Sequence, residues 1–519
     1  MKNNKQTMVN FNFRRFFLCF LYSIITIFVV FVFEKVFIVG YLDYVLPTRI
    51  PKTLSRAILF LFVITISIFL IFLNLKKIII EKFNEKHIIF FLFAISITLP
   101  LVLVFLIKVE PKSDFLTYYL IAKHLVYSKI FIPNYIATFP HTIMFPIFLS
   151  FIFRIFGPSI LAAQLTGILL SAMSVIFVFL IGKEAGKKQL GFIAAIMWSL
   201  MPSRIFYSLL ICTENLFNTV ALFTIFLFFR NIRAFKSIKT KYLNLAFIGI
   251  LLAWLSSIRP NGIILFIAMT LFYIVFSKET NNNFLKKDMN NIHFLKFIAI
   301  FIMLATYLLA SFSLNIIIES IINQKIASTR IGWNLYVGMN ISSHGQWNKN
   351  DSELFGRLIK EIGPNQAQKT FFNLGLTRLQ TLIKEKKIIS FISDKIITMW
   401  HADHESYDYV AGAQLQNTAG KLIFPKNNKI IKLLFNIYYY IILFTALLGL
   451  ILEIKNCSFS NSIIIIGGLV ISGTILLHMP FEAALRYKNH ALLWFCFISA
   501  NGIITASGKI VKANKIQCK

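Results

Sequence analysis

The sequence predicts an all-α polytopic membrane protein, and three observations carry that reading. Apolar runs long enough to cross a bilayer recur along the whole chain. Hydrophobic residues make up 57% and charged residues only 14%, whereas a soluble protein carries about a quarter charged. The cations, finally, are gathered into alternate short connections between the apolar runs. Together these exclude a soluble domain, a disordered scaffold and a soluble nucleic-acid binder. The excess of 53 Lys and Arg over 21 Asp and Glu, a net +32, reads as topology, because loops retained in the cytoplasm hold their cations. Nucleic acid is therefore not an expected partner.

Taken in order, the apolar runs place about twelve spans. They lie near 16–38, 56–75, 88–109, 161–181, 190–209, 214–229, 243–258, 261–277, 295–315, 430–452, 461–480 and 488–506. The opening MKNNKQTMVNFNFRRFF has the basic start of a signal peptide, but the apolar segment after it lacks a small-residue cleavage site, so a retained first span is expected. Arg14 and Arg15, Lys76, Lys77, Lys82 and Lys86, and Lys183, Lys187 and Lys188 fall in alternate connections. So do Arg230, Arg233, Lys236, Lys239 and Lys241, then Lys286 and Lys287, and finally Lys509, Lys512 and Lys515. All share one side, which the positive-inside bias makes the cytoplasm, with both termini there. The bias toward Lys, Asn, Ile and Phe suggests a bacterial plasma membrane. Cys19, Cys212, Cys457, Cys496 and Cys518 are scattered singly, so neither a disulfide framework nor a thiolate metal site is expected.

Two segments are not expected to cross. In EPKSDFLTYYLIAKHLVYSK, Phe115, Tyr119, Ala122 and Val126 recur at helical spacing, which predicts an amphipathic helix in the outer interface. FPHTIMFPIFLSFIFRIFG carries Pro140 and Pro146, which predict a broken or interfacial helix. The second segment, 316–429, holds GWNLYVGMN, SSHGQWN and two polar helical patterns between Ser352 and Trp400. The organisation is thus a two-helix N-terminal addition over 1–87 and a transmembrane core over 88–315 with its outer first loop at 110–160. An outer loop domain follows over 316–429, and 430–519 supplies C-terminal helices and a basic tail.

The cytoplasmic loops contain no glycine-rich phosphate cradle, so chemistry is expected at the outer side. Polar residues without a topological role gather there: Asp114, Lys123, His124, His141, Arg204, Glu214, Arg259, Asn261, Glu482 and Arg486. A substrate used at that face without a cytosolic nucleotide has to arrive activated, and a lipid-linked donor meets that condition. Each residue also has a plainer reading. Asp114 could cap a helix, the arginines could snorkel to head groups, and Glu214 could complement a helix dipole. Glu482, four residues before Arg486, could pair with it on one helix face. HADHES, with His401, Asp403, His404 and Glu405, lacks HExxH spacing and reads as a solvated loop. Trp333 and Trp347 could stack on sugar rings or anchor at the interface.

The order SDFLTYYLIAKHL, FPHTIMFP, MPSRIFYSLLICTENLF, SSIRPNG, GWNLYVGMN with GQWN, and FEAALRYKNHALLWF resembles the polytopic GT-C glycosyltransferases of the protein mannosyltransferase and aminoarabinose transferase type, over roughly 88–506. The resemblance implies transfer of a sugar, with inversion, from a polyprenyl-phosphate donor to a glycan, lipid or protein acceptor at the outer face. Asp114 falls at the family's first-loop acid, which the resemblance implies is the catalytic base or positions the acceptor or a metal; the base is the role expected of it. Protein mannosyltransferases carry Asp-Glu where this chain has Ser113 and Asp114, which weighs against a protein acceptor. Arg259 and Arg486, with Arg204 and Lys123 behind them, are the candidates for the donor phosphate. Glu214, His141, Asn261 and Tyr487 are the candidates for sugar or acceptor. A divalent cation such as Mg or Mn is a candidate cofactor, but no clustered carboxylates specify one. A transporter or flippase of lipid-linked intermediates, and a polysaccharide polymerase or ligase, are the rival readings.

The topology is testable in intact cells. Single cysteines placed within 110–160 and 316–429 are expected to react with an impermeant thiol reagent and one at 236 to be protected, whereas the reverse labelling pattern would put the candidate site in the cytosol.

Overall fold

A computed structural model describes residues 2–47, 50–75, 83–233, 237–276, 289–412, 417–456 and 461–517. Lys76, Lys77, Lys82, Lys236, Lys286 and Lys287, with Cys457 and Cys518, lie outside the described residues, as do the side chains of Arg233, Lys512 and Lys515. Every regular element among the described residues is helical.

Nine helices among the described residues are long and apolar enough to cross a membrane: Phe13–Val39, Lys52–Leu73, Glu85–Ile107, Ile160–Glu184, Thr213–Ile232, Lys239–Ile258, Phe294–Ile322, Lys429–Asn456 and Leu485–Ile510. The protein is thus an integral multi-pass membrane protein. The other three expected spans fall on shorter elements. Gly262–Val275 is a 14-residue helix, about 21 Å long against a hydrocarbon core of about 30 Å. Ser462–His478 has 17 residues and is buried along most of its length. The 190–209 stretch is divided into Lys188–Ser199 and Pro202–Tyr207. Pro202, which has no N–H to donate, opens the second piece instead of continuing the first.

Where they are described, the basic connections are held by local contacts between helix ends. Lys183 Nζ meets Glu85 Oε2 at 2.6 Å, Lys188 Nζ donates to the Phe83 carbonyl at 3.1 Å, and Lys509 Nζ donates to Asn456 Oδ1 at 3.0 Å. The N-terminal helices are packed into the same large apolar core as the rest. Helix Lys2–Phe33 lies against Lys429–Asn456 and Ser462–His478, and Lys52–Leu75 lies against Lys429–Asn456 and Asn489–Gln517. Phe28 meets the buried Trp400 edge-on at 5.0 Å.

The 110–160 segment forms helices Ser113–Val126, Pro133–Thr138 and Met144–Phe156. Phe115 and Ala122 of the expected amphipathic stripe are buried, as is Ile121. The second outer segment is helical throughout its main parts: Gly332–Gly338, Lys349–Lys384, Ile388–Trp400, Glu405–Gly412 and Thr418–Ile423. Helix Lys349–Lys384 is kinked at Gly363, whose φ of 76° suits glycine, directly before Pro364. Asp351 and Arg378 pair through two hydrogen bonds of 2.8 and 3.0 Å, and Arg378 also donates to the Tyr336 carbonyl, tying this helix to Gly332–Gly338.

Two expectations fail here. Trp333 is buried between Phe355 and Phe371 in a small core of its own, because the apolar faces of two outer helices need a common filling; only Trp347 is exposed. HADHES is likewise packed rather than solvated. Asp403 and His404 are buried, with Asn436 Oδ1 accepting from the Asp403 N–H at 2.8 Å and the Tyr44 hydroxyl 3.1 Å from His404 Nε2. Burial holds the His401 and His404 imidazoles down at about 4, and therefore neutral at pH 7.

Helices Lys429–Asn456 and Asn489–Gln517 cross where Gly449 faces Gly502. A Cβ on Gly502 would fall 2.2 Å from the Thr445 carbonyl oxygen, so the two backbones touch, as small residues permit within a membrane. Gly502→Val is expected to lower the unfolding temperature of the detergent-solubilised protein, at a cost on the order of 1–3 kcal/mol for overpacking. An unchanged melting profile would mean that this crossing does not hold the bundle.

Candidate active site

The site is built where four helix ends meet away from the basic loops. Helix Thr213–Arg233 places Glu214 in its first turn. Helix Ile238–Ile258 ends at Arg259, which is extended, and the chain turns through Pro260 and Asn261 into Gly262–Val275. Gly262 is required by that tight reversal, since a Cβ there would lie 2.6 Å from the Ser256 nitrogen. Arg259 Nη1 meets Glu214 Oε1 at 2.7 Å, with the side chains 13% and 3% exposed. The 3-10 turn Leu485–Lys488 carries Arg486, whose Nη2 meets Asp114 Oδ2 at 2.9 Å. Both guanidinium groups lie over the Tyr487 ring, at 5.9 Å and 5.6 Å from its centroid.

Glu214, Arg259, Asn261, Glu482, Arg486 and Tyr487 line a cavity of about 260 Å³, with His141, Tyr118, Asn334 and His478 also in its wall, and Asp114 lies beside it on Arg486. A second cavity of about 270 Å³ shares His141, Pro260, Ile263, Ile331 and Asn334 with the first. Its remaining polar lining is Thr138, Ser256, Ser257, Tyr307, Ser311, Asn315 and Arg330. His141 therefore sits between the two. Burial, with Arg259 adding to it, holds its imidazole down at about 4, so it faces both cavities as a neutral donor and acceptor.

The structure thus brings together Asp114, His141, Glu214, Arg259, Asn261, Arg486 and Tyr487. It does not bring Arg204 or Lys123 to them. Arg204 is 2% exposed, and its guanidinium donates to Ser171 Oγ at 2.6 Å and to the carbonyls of Ser199 and Ser96 at 2.6 and 3.3 Å. It staples three helices where Pro202 interrupts the path, and both of its terminal nitrogens are engaged there. Lys123 is exposed on Ser113–Val126, more than two turns beyond Asp114. The helix-cap reading of Asp114 also fails, because Lys112 holds the N-cap position and the carboxylate is turned to Arg486. Glu482 does not share a helix face with Arg486: it precedes the 3-10 turn in irregular chain, and Arg486 is engaged by Asp114.

Sequence reasoning missed the buried lysines that hold the Arg486 segment. Lys488 Nζ donates to the carbonyls of Ala402 and Leu485 at 2.6 and 3.0 Å and lies 3.8 Å from Asp403 Oδ1. Lys395 Nζ donates to those of Gly338 and Met479 at 2.6 and 3.1 Å. Burial pushes the Lys395 ammonium down to about 7 and the Asp403 carboxyl up to about 6. A lysine read in sequence looks solvated, and nothing around Lys395, which follows Asp394, or around Lys488 hinted otherwise.

As a divalent-cation site the residues do not fit. Asp114 and Glu214 each already face a guanidinium, and no three His, Cys, Asp or Glu side chains converge among the described residues.

Residues 140–310 match the family model described as dolichyl-phosphate-mannose-protein mannosyltransferase. That stretch carries His141, Glu214, Arg259 and Asn261, while Asp114 and Arg486 lie outside it. The match supports the resemblance to polytopic GT-C membrane glycosyltransferases. Among solved structures, the archaeal oligosaccharyltransferase AglB from Archaeoglobus fulgidus, in complex with an inhibitory peptide and a dolichol-phosphate, is similar over 85% of this chain at 13% identity with a TM-score of 0.42. The chain spans 51% of that protein's length. No curated protein matches the chain.

Proposed function

We propose that the protein transfers a glycosyl group from a polyprenyl-phosphate donor to an acceptor hydroxyl at the outer face of a bacterial plasma membrane, with both termini in the cytoplasm. The observation that carries this reading is the convergence of Arg259 and Arg486 on one cavity at the end remote from the basic loops. Breaking the sugar–phosphate bond concentrates negative charge on the phosphate, and two fixed guanidinium groups stabilise that change more than they stabilise the bound donor. Each guanidinium has five N–H donors and can keep its carboxylate while taking a phosphate oxygen.

In this reading Asp114, held beside the cavity by Arg486, receives the proton of the attacking hydroxyl. Attack from the side opposite the phosphate inverts the anomeric carbon in a single displacement. The second cavity, with its hydroxyl and amide lining, offers room for the acceptor, and His141 at the junction can hydrogen-bond to either substrate. Glu214 sets the position of Arg259; left alone, either partner would be a buried charge costing about 3–5 kcal/mol.

The direct experiment is to incubate purified protein with a panel of radiolabelled polyprenyl-phosphate sugars and follow release of lipid phosphate. Arg259→Lys and Arg486→Lys keep the charge but lose the planar fork, so partial activity is expected. Arg486→Ala is expected to cost about 10²-fold or more. Wild-type rates in these variants would return both arginines to head-group anchoring.

Asp114→Asn keeps the shape and can still hydrogen-bond to Arg486. Turnover is expected to fall roughly 10²- to 10⁴-fold with donor binding retained. Full transfer by this variant would remove Asp114 as the base, and unaltered lipid flux without any transfer would favour a transporter.

A further inference from the structure

Two carboxylates line the cavity, Glu214 and Glu482, and a third, Asp114, lies beside it on Arg486; the three are not equivalent. Asp114 and Glu214 each face a guanidinium, at 2.9 and 2.7 Å. Glu482 lines the same cavity and forms no ion pair among the described residues; its side-chain partner is the Tyr487 hydroxyl. Its backbone, in contrast, is fixed. The Glu482 N–H donates to the Asn334 carbonyl at 3.0 Å, its own carbonyl lies 2.7 Å from His478 Nδ1, and the next N–H, of Ala483, donates to the Gly345 carbonyl at 2.9 Å. Gly338 lets this chain approach closely, because a Cβ there would lie 2.4 Å from the Pro480 oxygen. A carboxyl without a committed cation, on a rigid mount beside two arginines, is arranged to exchange a proton with whatever those arginines bind.

We propose that Glu482 is a catalytic residue of the transfer reaction, the acid that protonates the departing lipid phosphate. This rests on the glycosyltransferase reading given above. The acceptor oxygen forms its bond to the anomeric carbon and gives its proton to the Asp114 carboxylate. The bond from that carbon to the phosphate oxygen breaks, with its electron pair staying on the oxygen. That oxygen takes the proton held by the Glu482 carboxyl. Asp114 then returns its proton through water and Glu482 is recharged, so one proton passes overall from acceptor to phosphate.

The groups that face Glu482 are Arg486 and Tyr487 from its own segment, Asp114 and Tyr135 from the first outer segment, Lys395 from helix Ile388–Trp400, and His478. Burial outweighs the cations among them and pushes the carboxyl up to about 7. The second ionisation of a phosphate monoester lies near, at about 6, so proton transfer between the two is close to balanced. The sign follows directly. Below pH 7 Glu482 is neutral and compatible with a bound phosphate; as pH rises through 7 it ionises and repels it.

The experiment compares wild type with Glu482→Gln, which keeps the shape and stays neutral, using undecaprenyl phosphate as the binding probe. The two are expected to bind alike at pH 6. By pH 8.5 the wild type is expected to bind roughly tenfold more weakly than the variant, as one unit of pKa displacement predicts. Equal affinities across this range would overturn the proposal whether or not any transfer is seen. In the transfer assay the variant is expected to be slower by roughly 10²-fold and to lose the alkaline fall in kcat near pH 7. Wild-type kcat and an unchanged alkaline limb in the variant would also overturn it. Failure of the wild type to transfer from any donor would instead count against the glycosyltransferase reading, with the binding comparison still deciding the protonation of Glu482.

Discussion

A guanidinium taken from water into a helical bundle costs several kcal/mol unless a carboxylate accompanies it, and that constraint shapes the whole outer end of this protein. Arg259 and Glu214 meet it from the ends of two neighbouring helices, and Arg486 and Asp114 meet it across 372 positions of sequence. Both cations also lie against one aromatic ring, that of Tyr487. The result is a cavity with a charge pattern balanced within itself yet rich in unspent N–H donors. Such a cavity can accept an anion at little cost in reorganisation, which is the property that electrostatic catalysis requires.

The segment from Met479 to Lys488 keeps that pattern in place with the other sign of the same economy. Its two lysine clamps are buried ammonium groups whose charge is met mainly by backbone carbonyls: Gly338 and Met479 for Lys395, Ala402 and Leu485 for Lys488. Each clamp joins the segment between the last two apolar helices to the outer helices of 316–429. The 316–429 segment therefore acts as a brace, and its cores around Trp333 and around Leu335 and Phe391 serve to make that brace stiff. Arg204 does a comparable task at membrane depth, where a proline-broken path leaves carbonyls that an arginine can satisfy.

Some of this was legible in the residues themselves. Long apolar helices, their alternation and the gathering of cations at one end follow from hydrophobic length and from charge, both of which are local properties of a chain. RPNG and CTENL were legible as site segments for the same reason, since an ionisable residue beside an apolar run has few innocent explanations. Partners were not legible. Sequence offered Glu482 to Arg486 by spacing and Asp114 to its own helix as a cap, and both were wrong because neither distance along a chain nor helix phase measures distance through space. The same limit made Arg204 look like a phosphate ligand, Trp333 like a sugar platform and HADHES like a wet loop. The sequence alone determined a multi-pass helical protein with ionisable residues set beside the ends of its apolar runs. Tertiary structure alone decided which carboxylate neutralises which arginine and which carboxylate is left over, because a buried charge is stabilised by whatever the fold brings within about 4 Å of it.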